Sequence, residues 1–219
     1  MNKTLNPFGR VVSSVLKVQK KRLSKLKTGL DIGCAYGANS RYLASLGLKM
    51  DAIDKALPRD IKPERNVSFQ SIDVLDLPFD KTYDVILASH ILHFLTPEDR
   101  ANIMEKMYSS LNQGGYLFIT SFTTDDEGVK QGKYKSHFAT NELRNWAEGK
   151  GLAIKSYQEK TKKDNHEPDG EHKHEVVVLV GVKERAHLLH KSMKKATTEA
   201  LTTLANNDKV SIRKQSPER

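Results

Sequence analysis

Residues 30–40 of the 219-residue chain read Leu30-Asp31-Ile32-Gly33-Cys34-Ala35-Tyr36-Gly37-Ala38-Asn39-Ser40. The apolar residues 28–32 predict a short strand, and the segment after Gly37 predicts a helix. A glycine at position 33 lets the backbone turn sharply and approach a ligand, and Gly37 lets the following helix pack tightly. We therefore predict a strand–turn–helix unit whose turn binds a cofactor.

Strands and helices alternate outward from this unit. Further strands are predicted at 48–53, 67–72, 83–88 and 116–121, and helices at 39–46, 98–111 and 140–150. Pro97 suits the first turn of the second helix, Gly114-Gly115 suits its end, and Thr140 suits the cap of the third.

The last two strands have no helix between them. They are predicted at 152–159 and 175–182, joined by a polar loop at 160–174, which indicates an antiparallel hairpin. The preceding alternation indicates a parallel sheet built from right-handed crossovers. The predicted fold is therefore α/β: a Rossmann-like, doubly wound, mostly parallel seven-stranded sheet with a C-terminal antiparallel hairpin.

Two acidic residues follow the second and third predicted strands. Asp54 comes directly after Ile53, where an acid can accept hydrogen bonds from both hydroxyls of a ribose. Asp73 follows the third strand, where a carboxylate can accept from an adenine amine while the Val74 N–H meets a ring nitrogen. Because ligands of such sheets bind beyond the carboxyl ends of the strands, these residues indicate a nucleoside site.

The glycine turn also distinguishes between nucleoside cofactors. A dinucleotide site normally reads Gly-x-Gly-x-x-Gly, but this turn has Ala35 and Ala38 at the second and third glycine positions. Asp31 precedes the first glycine and can meet the ammonium group of an amino-acid moiety. These features favour S-adenosylmethionine over a dinucleotide.

Residues 30–40 resemble the first motif of class I methyltransferases. Residues 39–47 and 50–55 more narrowly resemble the tellurite-resistance methyltransferases (the TehB family), which carry an Asn-Ser pair on the first helix and an Asp-Lys pair after the second strand. Further matches lie at 83–89, at 112–116 and around Trp146. The resemblance extends over residues 10–183 and excludes the tail.

The resemblance implies an S-adenosylmethionine-dependent methyltransferase. The positions that match the family's cofactor contacts are Gly33, Cys34, Asn39, Asp54, Lys55, Asp73, Val74 and Ser89. Cys34 is then a backbone contact in the turn, not a nucleophile. Two departures are Ala35, where many members have glycine, and the hairpin, where the family's His-Arg pair is matched only by His166. The acceptor therefore stays open among a tellurite- or selenite-type oxyanion, a thiol and a small metabolite.

Methyl transfer depends mainly on alignment and exclusion of water. We expect the acceptor pocket over Ser89-His90, beneath the loop at 122–139. His90 and His166 are the candidate catalytic residues, because either can take a proton or hold an anion. The alternative for His90 is a strand-end cap, and His93 is expected on a helix surface.

The His-x-His pair of the hairpin is a candidate metal motif. His172 and His174 should direct their rings to one face of a strand, which suits a metal. Acidic residues surround this exposed segment, so a solvated polar hairpin is favoured. No metal site is predicted.

The net charge of +9 is located in the two ends of the chain. Residues 1–28 hold eight Lys and Arg and no acid, and residues 183–219 hold nine basic and four acidic residues. The body between them is mildly acidic, so a nucleic-acid substrate such as RNA is disfavoured but stays an alternative. Another alternative is a non-enzymatic binding protein that acts through its basic ends.

The domain prediction follows from the same pattern. Residues 1–183 are expected to form the methyltransferase domain, with an amphipathic helix within 1–27, and residues 184–219 a basic helical or disordered tail. An organelle transit peptide is the less favoured interpretation of the N-terminal segment. No apolar run suits a membrane span, and the single cysteine indicates a reducing compartment such as the cytoplasm. The oligomeric state cannot be read from the sequence.

Overall fold

The computed structural model of this chain describes residues 19–166 and 170–184, and side chains outside 164–171. Its centre is a seven-stranded sheet in the order β3-β2-β1-β4-β5-β7-β6. The strands are β1 Thr28–Ile32, β2 Lys49–Asp54, β3 Val67–Ser71, β4 Tyr83–Ser89, β5 Leu111–Phe122, β6 Leu152–His166 and β7 Gly170–Lys183. Strands β1 to β5 pair in parallel, and β7 is antiparallel to both β5 and β6. The predicted fold class is confirmed.

Five helices within the described residues accompany the sheet. They are α1 Lys20–Leu23, α2 Ala38–Ser45, α3 Pro97–Ser109, α4 Glu127–Lys130 and α5 Glu142–Gly149, with 3-10 turns at Val74–Asp76 and Leu92–Phe94. Alternate residues of β4 pack into two different apolar clusters. Ile86 and Ala88 belong to the cluster that contains residues of α3 and α5, and Val85 and Leu87 to the one that contains residues of α2. Strand β4 is thus buried on both faces, as expected for an inner parallel strand.

The junction between α3 and β5 differs from the prediction. The helix ends at Ser109, and Gly114-Gly115 lie inside β5 and do not end the helix. The reason is strand pairing, because the Tyr83 N–H donates to the Ser110 carbonyl and Leu111 already pairs with Tyr83. A register shift between Tyr83 and Val85 then accommodates the glycine pair.

Helix α5 also begins later than predicted. Thr140 is not its cap; the residue before the helix is Asn141, which has a left-handed backbone and no side-chain cap hydrogen bond. Glu142 supplies the local contact instead, since its Oε2 accepts from the Ala139 N–H at 2.8 Å. A long-range hydrogen bond from the Asn141 N–H to Glu159 Oε1 at 2.7 Å secures the same turn.

The predicted polar loop at 160–174 is wrong, because most of it is strand. Strands β6 and β7 stay paired from Lys160 opposite Val176 to His166 opposite Gly170. Ladder hydrogen bonds come from the backbone, so polar side chains do not prevent them. Since β5 ends at Phe122, opposite Val176, the hairpin beyond Val176 projects past the carboxyl edge of the parallel strands.

The two ends of the chain are described only in part. The predicted N-terminal helix appears as α1, which ends at Leu23, and residues 1–18 lie outside the described residues. Of the predicted tail, only Glu184 is described. The division into a domain and a tail therefore stays a prediction. None of the helices within the described ranges is long and apolar enough to cross a membrane.

Candidate functional site

The glycine turn lies between the ends of β1 and β2. The N–H groups of Gly33 and Cys34 both donate to the Ile53 carbonyl, at 2.9 and 3.0 Å. The Gly37 N–H then donates to the Cys34 carbonyl at 2.7 Å, directly before helix α2. Backbone contacts therefore tie the turn to the strand that carries Asp54.

Both conserved-spacing glycines of the turn are required by geometry. Gly33 and Gly37 have φ of 72° and 73°, the left-handed region that glycine occupies without strain. A Cβ atom at Gly33 would lie 2.9 Å from Cβ of Ile91, and one at Gly37 would lie 2.4 Å from Cε1 of Phe69. Gly37 thus permits close packing against β3, as its predicted role required.

A cavity of about 200 Å³ opens beside this turn, at the point where the strand order reverses. Its walls are Ile32, Gly33, Ile53, Asp54, Lys55, Ile72, Asp73, Val74, Leu75, Ile91, Phe94, Leu95 and Lys135. Five predicted cofactor residues line it: Gly33, Asp54, Lys55, Asp73 and Val74. Apolar walls with a few convergent polar groups are typical of a small-molecule site.

Asp54 joins the turn to the end of β2. Its Oδ2 accepts from the Ala35 N–H and its Oδ1 from the Ala56 N–H, each at 2.9 Å. Each carboxylate oxygen retains a second lone pair, so these two bonds leave acceptor capacity. Ala35 has φ of 47°, so the alanine takes the backbone conformation that glycine has in many family members.

Asp73 and Lys55 form an ion pair at the rim of the cavity. Lys55 Nζ donates to Asp73 Oδ2 at 2.7 Å, and Asp73 Oδ1 accepts from the Leu75 N–H at 3.1 Å. The hydrogen bond from Lys55, with that from the Leu75 N–H, holds the pKa of Asp73 below its usual value. Asp73 is therefore a carboxylate at neutral pH and an acceptor only.

Asp31 is buried beneath the turn. Ser40 Oγ donates to its Oδ2 at 2.5 Å, whereas its Oδ1 is buried and has no hydrogen-bond partner in the described structure. Burial raises the pKa of Asp31 to about 6, against the hydrogen bond from Ser40, and the nearby Asp54 raises it further. A carboxylate in this state gains from any cation placed next to it.

Three predicted cofactor residues, Cys34, Asn39 and Ser89, are not among the walls of the cavity. Asn39 is buried in the first turn of α2. Burial raises the pKa of the Cys34 thiol, which disfavours the thiolate and agrees with a residue that is not a nucleophile. Ser89 lies at the end of β4, where its Oγ is 3.1 Å from Thr120 Oγ1.

His90 follows Ser89 and is buried. Its N–H donates to the Thr120 carbonyl at 2.9 Å, and its backbone is left-handed, with φ of 54°. Burial is the main cause that lowers the pKa of His90 far below 6.5, so the ring is neutral at physiological pH. His90 is thus placed at the carboxyl edge of β4, as predicted, in the uncharged form that can accept a proton only against this burial cost.

The prediction for His93 is wrong, because the residue is not on a helix surface. It is 2% exposed and lies in the 3-10 turn that follows β4. Its ring contacts Phe122 and Tyr134, with centroids 4.5 and 4.6 Å apart. Burial lowers the pKa of His93 to about 3. A short 3-10 turn packed under the segment 123–139 replaces the expected helix.

Asp126 is a buried acid that the sequence did not reveal as part of the site. It caps α4, since its Oδ1 accepts from the Gly128 N–H at 2.8 Å. Its Oδ2 is 2.9 Å from His174 Nδ1 and accepts from the Glu175 N–H at 3.0 Å. Its Thr-Asp-Asp-Glu context indicated a helix cap, but nothing in it indicated a histidine 48 residues away.

The two histidines of β7 share one face, as the His-x-His spacing predicts. His172 Nε2 and His174 Nε2 are 3.0 Å apart. His174 is 8% exposed, so the expected solvated hairpin is wrong for this residue. The His166 side chain lies outside the described side chains, so its catalytic role stays a prediction. Within the parts that the structure describes, no three His, Cys, Asp or Glu side chains are grouped to hold a metal ion.

Comparisons with known proteins agree with this architecture. A family model described as tellurite resistance protein TehB matches residues 8–174. The carboxy-S-adenosyl-L-methionine synthase of Psychrobacter arcticus is 33% identical over 106 residues, which cover 42% of this chain and 40% of that protein. The probable S-adenosyl-L-methionine-dependent methyltransferase TehB of Haemophilus influenzae is 30% identical over 125 residues, which cover 53% and 43%.

The structural comparison points the same way. The crystal structure of TehB from Haemophilus influenzae superposes with a TM-score of 0.62 and 22% identity, over 78% of this chain and 62% of that chain. This likeness confirms the Rossmann-like fold of the methyltransferases. The chain spans less than half the length of either curated relative.

Proposed function

Because the chain belongs to the tellurite resistance protein TehB family, we propose that it is an S-adenosylmethionine-dependent methyltransferase acting on a small-molecule acceptor. The observation that carries the proposal is the cavity at the strand-order reversal, with Gly33 at its floor and Asp54 and Asp73 in its walls. These groups come from the ends of three neighbouring strands, where sheets of this type bind nucleosides.

The residues present fit this cofactor. Asp54 has acceptor capacity beyond its two backbone bonds, which suits the two ribose hydroxyls. Asp73 is held ionised by Lys55, and Val74 follows it in the wall, which suits an adenine amine and ring nitrogen. Asn39 and Ser89 are proposed to support the site without lining the cavity.

Asp31 is the proposed partner of the amino-acid part of the cofactor. Its buried Oδ1 has no hydrogen-bond partner in the described structure, and burial already raises the pKa of this carboxyl to about 6. An ammonium group beside it would stabilise the ionised form and supply the missing hydrogen bond. A hydride-carrying dinucleotide offers no such cation.

When bound, the cofactor supplies an electrophilic methyl group on a sulfonium. The chain contributes alignment and dryness, since Ile91, Phe94 and Leu95 wall the cavity on the side of β4. His90 is buried at the end of the same strand, and we propose that it lines the acceptor side. His166 keeps its proposed role as a second polar contact to the acceptor.

The proposed acceptor is a small molecule, and nucleic acid stays disfavoured because the excess of basic residues is confined to the chain ends. A reducing compartment such as the cytoplasm is proposed from the single cysteine. Tellurite, selenite and a simple thiol are the acceptors to test first.

Calorimetry with S-adenosylhomocysteine tests the cofactor. We expect micromolar binding by the wild-type protein and a loss of about 100-fold or more in Asp54→Ala, because charge-assisted hydrogen bonds to two hydroxyls disappear. Asp80→Ala is the matched control, since this exposed acid precedes β4, at the opposite edge of the sheet.

Absence of heat and of thermal stabilisation with wild-type protein would refute the cofactor assignment. Equal losses in Asp54→Ala and Asp80→Ala would refute the ribose contact alone. Once binding is established, transfer of a labelled methyl group to each acceptor identifies the substrate class.

A further inference from the structure

Three side chains form a hydrogen-bonded row on the acceptor side of the sheet. Asp126 Oδ2 lies 2.9 Å from His174 Nδ1, and His174 Nε2 lies 3.0 Å from His172 Nε2. The row runs from a fully buried carboxylate, through a buried imidazole, to the half-buried His172. A buried charge at one end and a more accessible ring at the other is the layout of a proton relay.

The chemistry of the groups sets the direction of the hydrogen bonds. Burial opposes ionisation of Asp126, but hydrogen bonds from His174 and from the Glu175 and Gly128 N–H groups outweigh it and hold its pKa below the usual value. An ionised carboxylate only accepts, so His174 must donate from Nδ1. Neutral His174 then accepts at Nε2, and His172 donates from its own Nε2. The remaining lone pair of the row is on Nδ1 of His172.

The row lies at the edge of the sheet where the cofactor cavity opens. Strand β5 ends at Phe122 opposite Val176, so His174 and His172 project past the carboxyl edge. The His174 ring stacks on Phe122 with centroids 4.8 Å apart, and Phe122 lies 5.1 Å from the ring of His90. Ring contacts therefore connect the relay to the end of β4.

The charges around the row favour an uncharged acceptor. His90 and His93 both have pKa values lowered by burial, so neither is a cation at neutral pH. Lys162 lies across from His174 in the β6–β7 ladder and is the nearby cation, while Asp126 supplies the opposite charge. The remaining titratable neighbours are Glu175, whose N–H binds Asp126, and Lys173 on the same strand.

We propose that Asp126, His174 and His172 form a relay that removes a proton from the methyl acceptor, and that the acceptor is a neutral nucleophile such as a thiol. The inference rests on the proposed function and names the substrate class of the same site. His172 is the proton acceptor, and His174 and Asp126 are positioning residues. The family resemblance pointed to an oxyanion and to His166, whereas this row is built from other residues.

The step balances without any further reactant. A lone pair of the acceptor forms the new bond to the methyl carbon, and the carbon–sulfur bond breaks with its electrons moving to the sulfonium sulfur. The acceptor's own proton goes to Nδ1 of His172, and its charge is compensated through His174 by Asp126. The proton finally leaves to solvent.

Nitrogen NMR of the histidine rings tests the relay without any acceptor. We expect His174 to carry its proton on Nδ1 and His172 on Nε2 in the wild-type protein. Asn at position 126 can still cap the Gly128 N–H, but its amide donates where the carboxylate accepted. In Asp126→Asn the proton of His174 should therefore move to Nε2.

Two thiols test the chemistry at pH 7: an alkanethiol, which is protonated, and an electron-poor arylthiol, which is already ionised. We expect His172→Gln to slow methylation of the alkanethiol by ~100-fold or more, the usual contribution of a general base. The arylthiol should lose less than about threefold, because it has no proton to give up. The alkanethiol rate of the variant should recover as the pH rises.

His137→Gln is the matched control, an exposed histidine outside the row. S-adenosylhomocysteine calorimetry on each variant separates this inference from the proposed function, since His172→Gln should bind as wild type does. Equal losses with both thiols, transfer to tellurite alone, or no transfer despite cofactor binding would overturn the relay. So would the opposite tautomers in the wild-type spectrum, or capture of Zn²⁺ by the two Nε2 atoms.

Discussion

The cofactor turn and the hairpin row occupy the same edge of the sheet and are assembled in different ways. The turn, residues 33–37, is held by backbone N–H groups that bind the end of the neighbouring strand and by Asp54, 19 residues away. The row joins Asp126 to His174, which are 48 residues apart, through side chains alone. A site made of backbone geometry leaves a mark on the local sequence, and a site made of distant side chains does not.

The two regions also differ in the charges they bury. Beneath the turn, Asp31 has a buried oxygen without a partner and a raised pKa. In the hairpin row, the carboxylate of Asp126 has its partners already and a lowered pKa. The first arrangement suits an incoming cation, and the second suits a proton that arrives from outside. Three substitutions test these differences.

Gly37→Val should have the largest effect. Its Cβ would lie 2.4 Å from the Phe69 ring, and a β-branched residue at φ of 73° is strained. We expect a loss of about 4 kcal/mol in the free energy of unfolding from strain and overpacking together. Urea unfolding measures this loss, and S-adenosylhomocysteine binding should disappear with it.

Gly47→Val separates the two causes. Gly47 has φ of 99° and nothing within 4 Å of a built Cβ, so this variant carries the backbone strain without the clash. It should lose roughly half as much stability and retain cofactor binding. Equal losses in both variants would show that close packing against Phe69 is unimportant.

Asp31→Asn should stabilise the protein and abolish cofactor binding. The pKa of Asp31 is raised from 3.8 to about 6, so wild-type stability falls as pH rises from 4 to 6 and stays reduced above it. Removing the charge should therefore add about 3 kcal/mol at pH 8 and little at pH 3.5. Urea unfolding at the two pH values measures this difference.

Asp84→Asn is the matched contrast. Asp84 accepts from the Lys27 and Thr28 N–H groups and from Asn112, which outweigh its burial and keep its pKa low. This variant should lose stability at pH 8, the opposite sign to Asp31→Asn. A loss in Asp31→Asn would contradict the assignment of an unsatisfied carboxylate beneath the turn.

His93→Phe should have the smallest effect, visible only in acid. Burial lowers the pKa of His93 to about 3, below its ordinary 6.5, so its contribution is intact above pH 6.5 and is lost as pH falls towards 3. At pH 5 the variant should therefore be more stable than wild type by about 2 kcal/mol. At pH 8 the two should be similar, because Phe preserves the contacts with Phe122 and Tyr134.

The exposed His137 provides the control for that measurement. His137→Gln should unfold at the same urea concentration as wild type at both pH values. A His93→Phe variant that is destabilised equally at pH 5 and pH 8 would indicate a packing role without titration. Circular dichroism in urea suffices for both variants.

The fold was predictable from the sequence because strand and helix periodicity is a local property of the chain. The errors lie where tertiary pairing overrides local preference. Gly114-Gly115 looked like the end of a helix and lie in β5, since Leu111 already pairs with Tyr83. The polar residues 160–166 looked like a loop and form part of β6, because β7 supplies their ladder partners.

The sequence by itself determined the glycine turn, the acids that follow β2 and β3, and the family, because these depend on backbone conformations that only certain residues adopt. Only the tertiary structure decided that His93 is buried, that Asp126 binds His174, and that Asp31 has an oxygen without a partner. The physical reason is that burial and side-chain partnership are set by segments far apart in the chain. The pKa values and proton positions on which the chemistry depends follow from that packing.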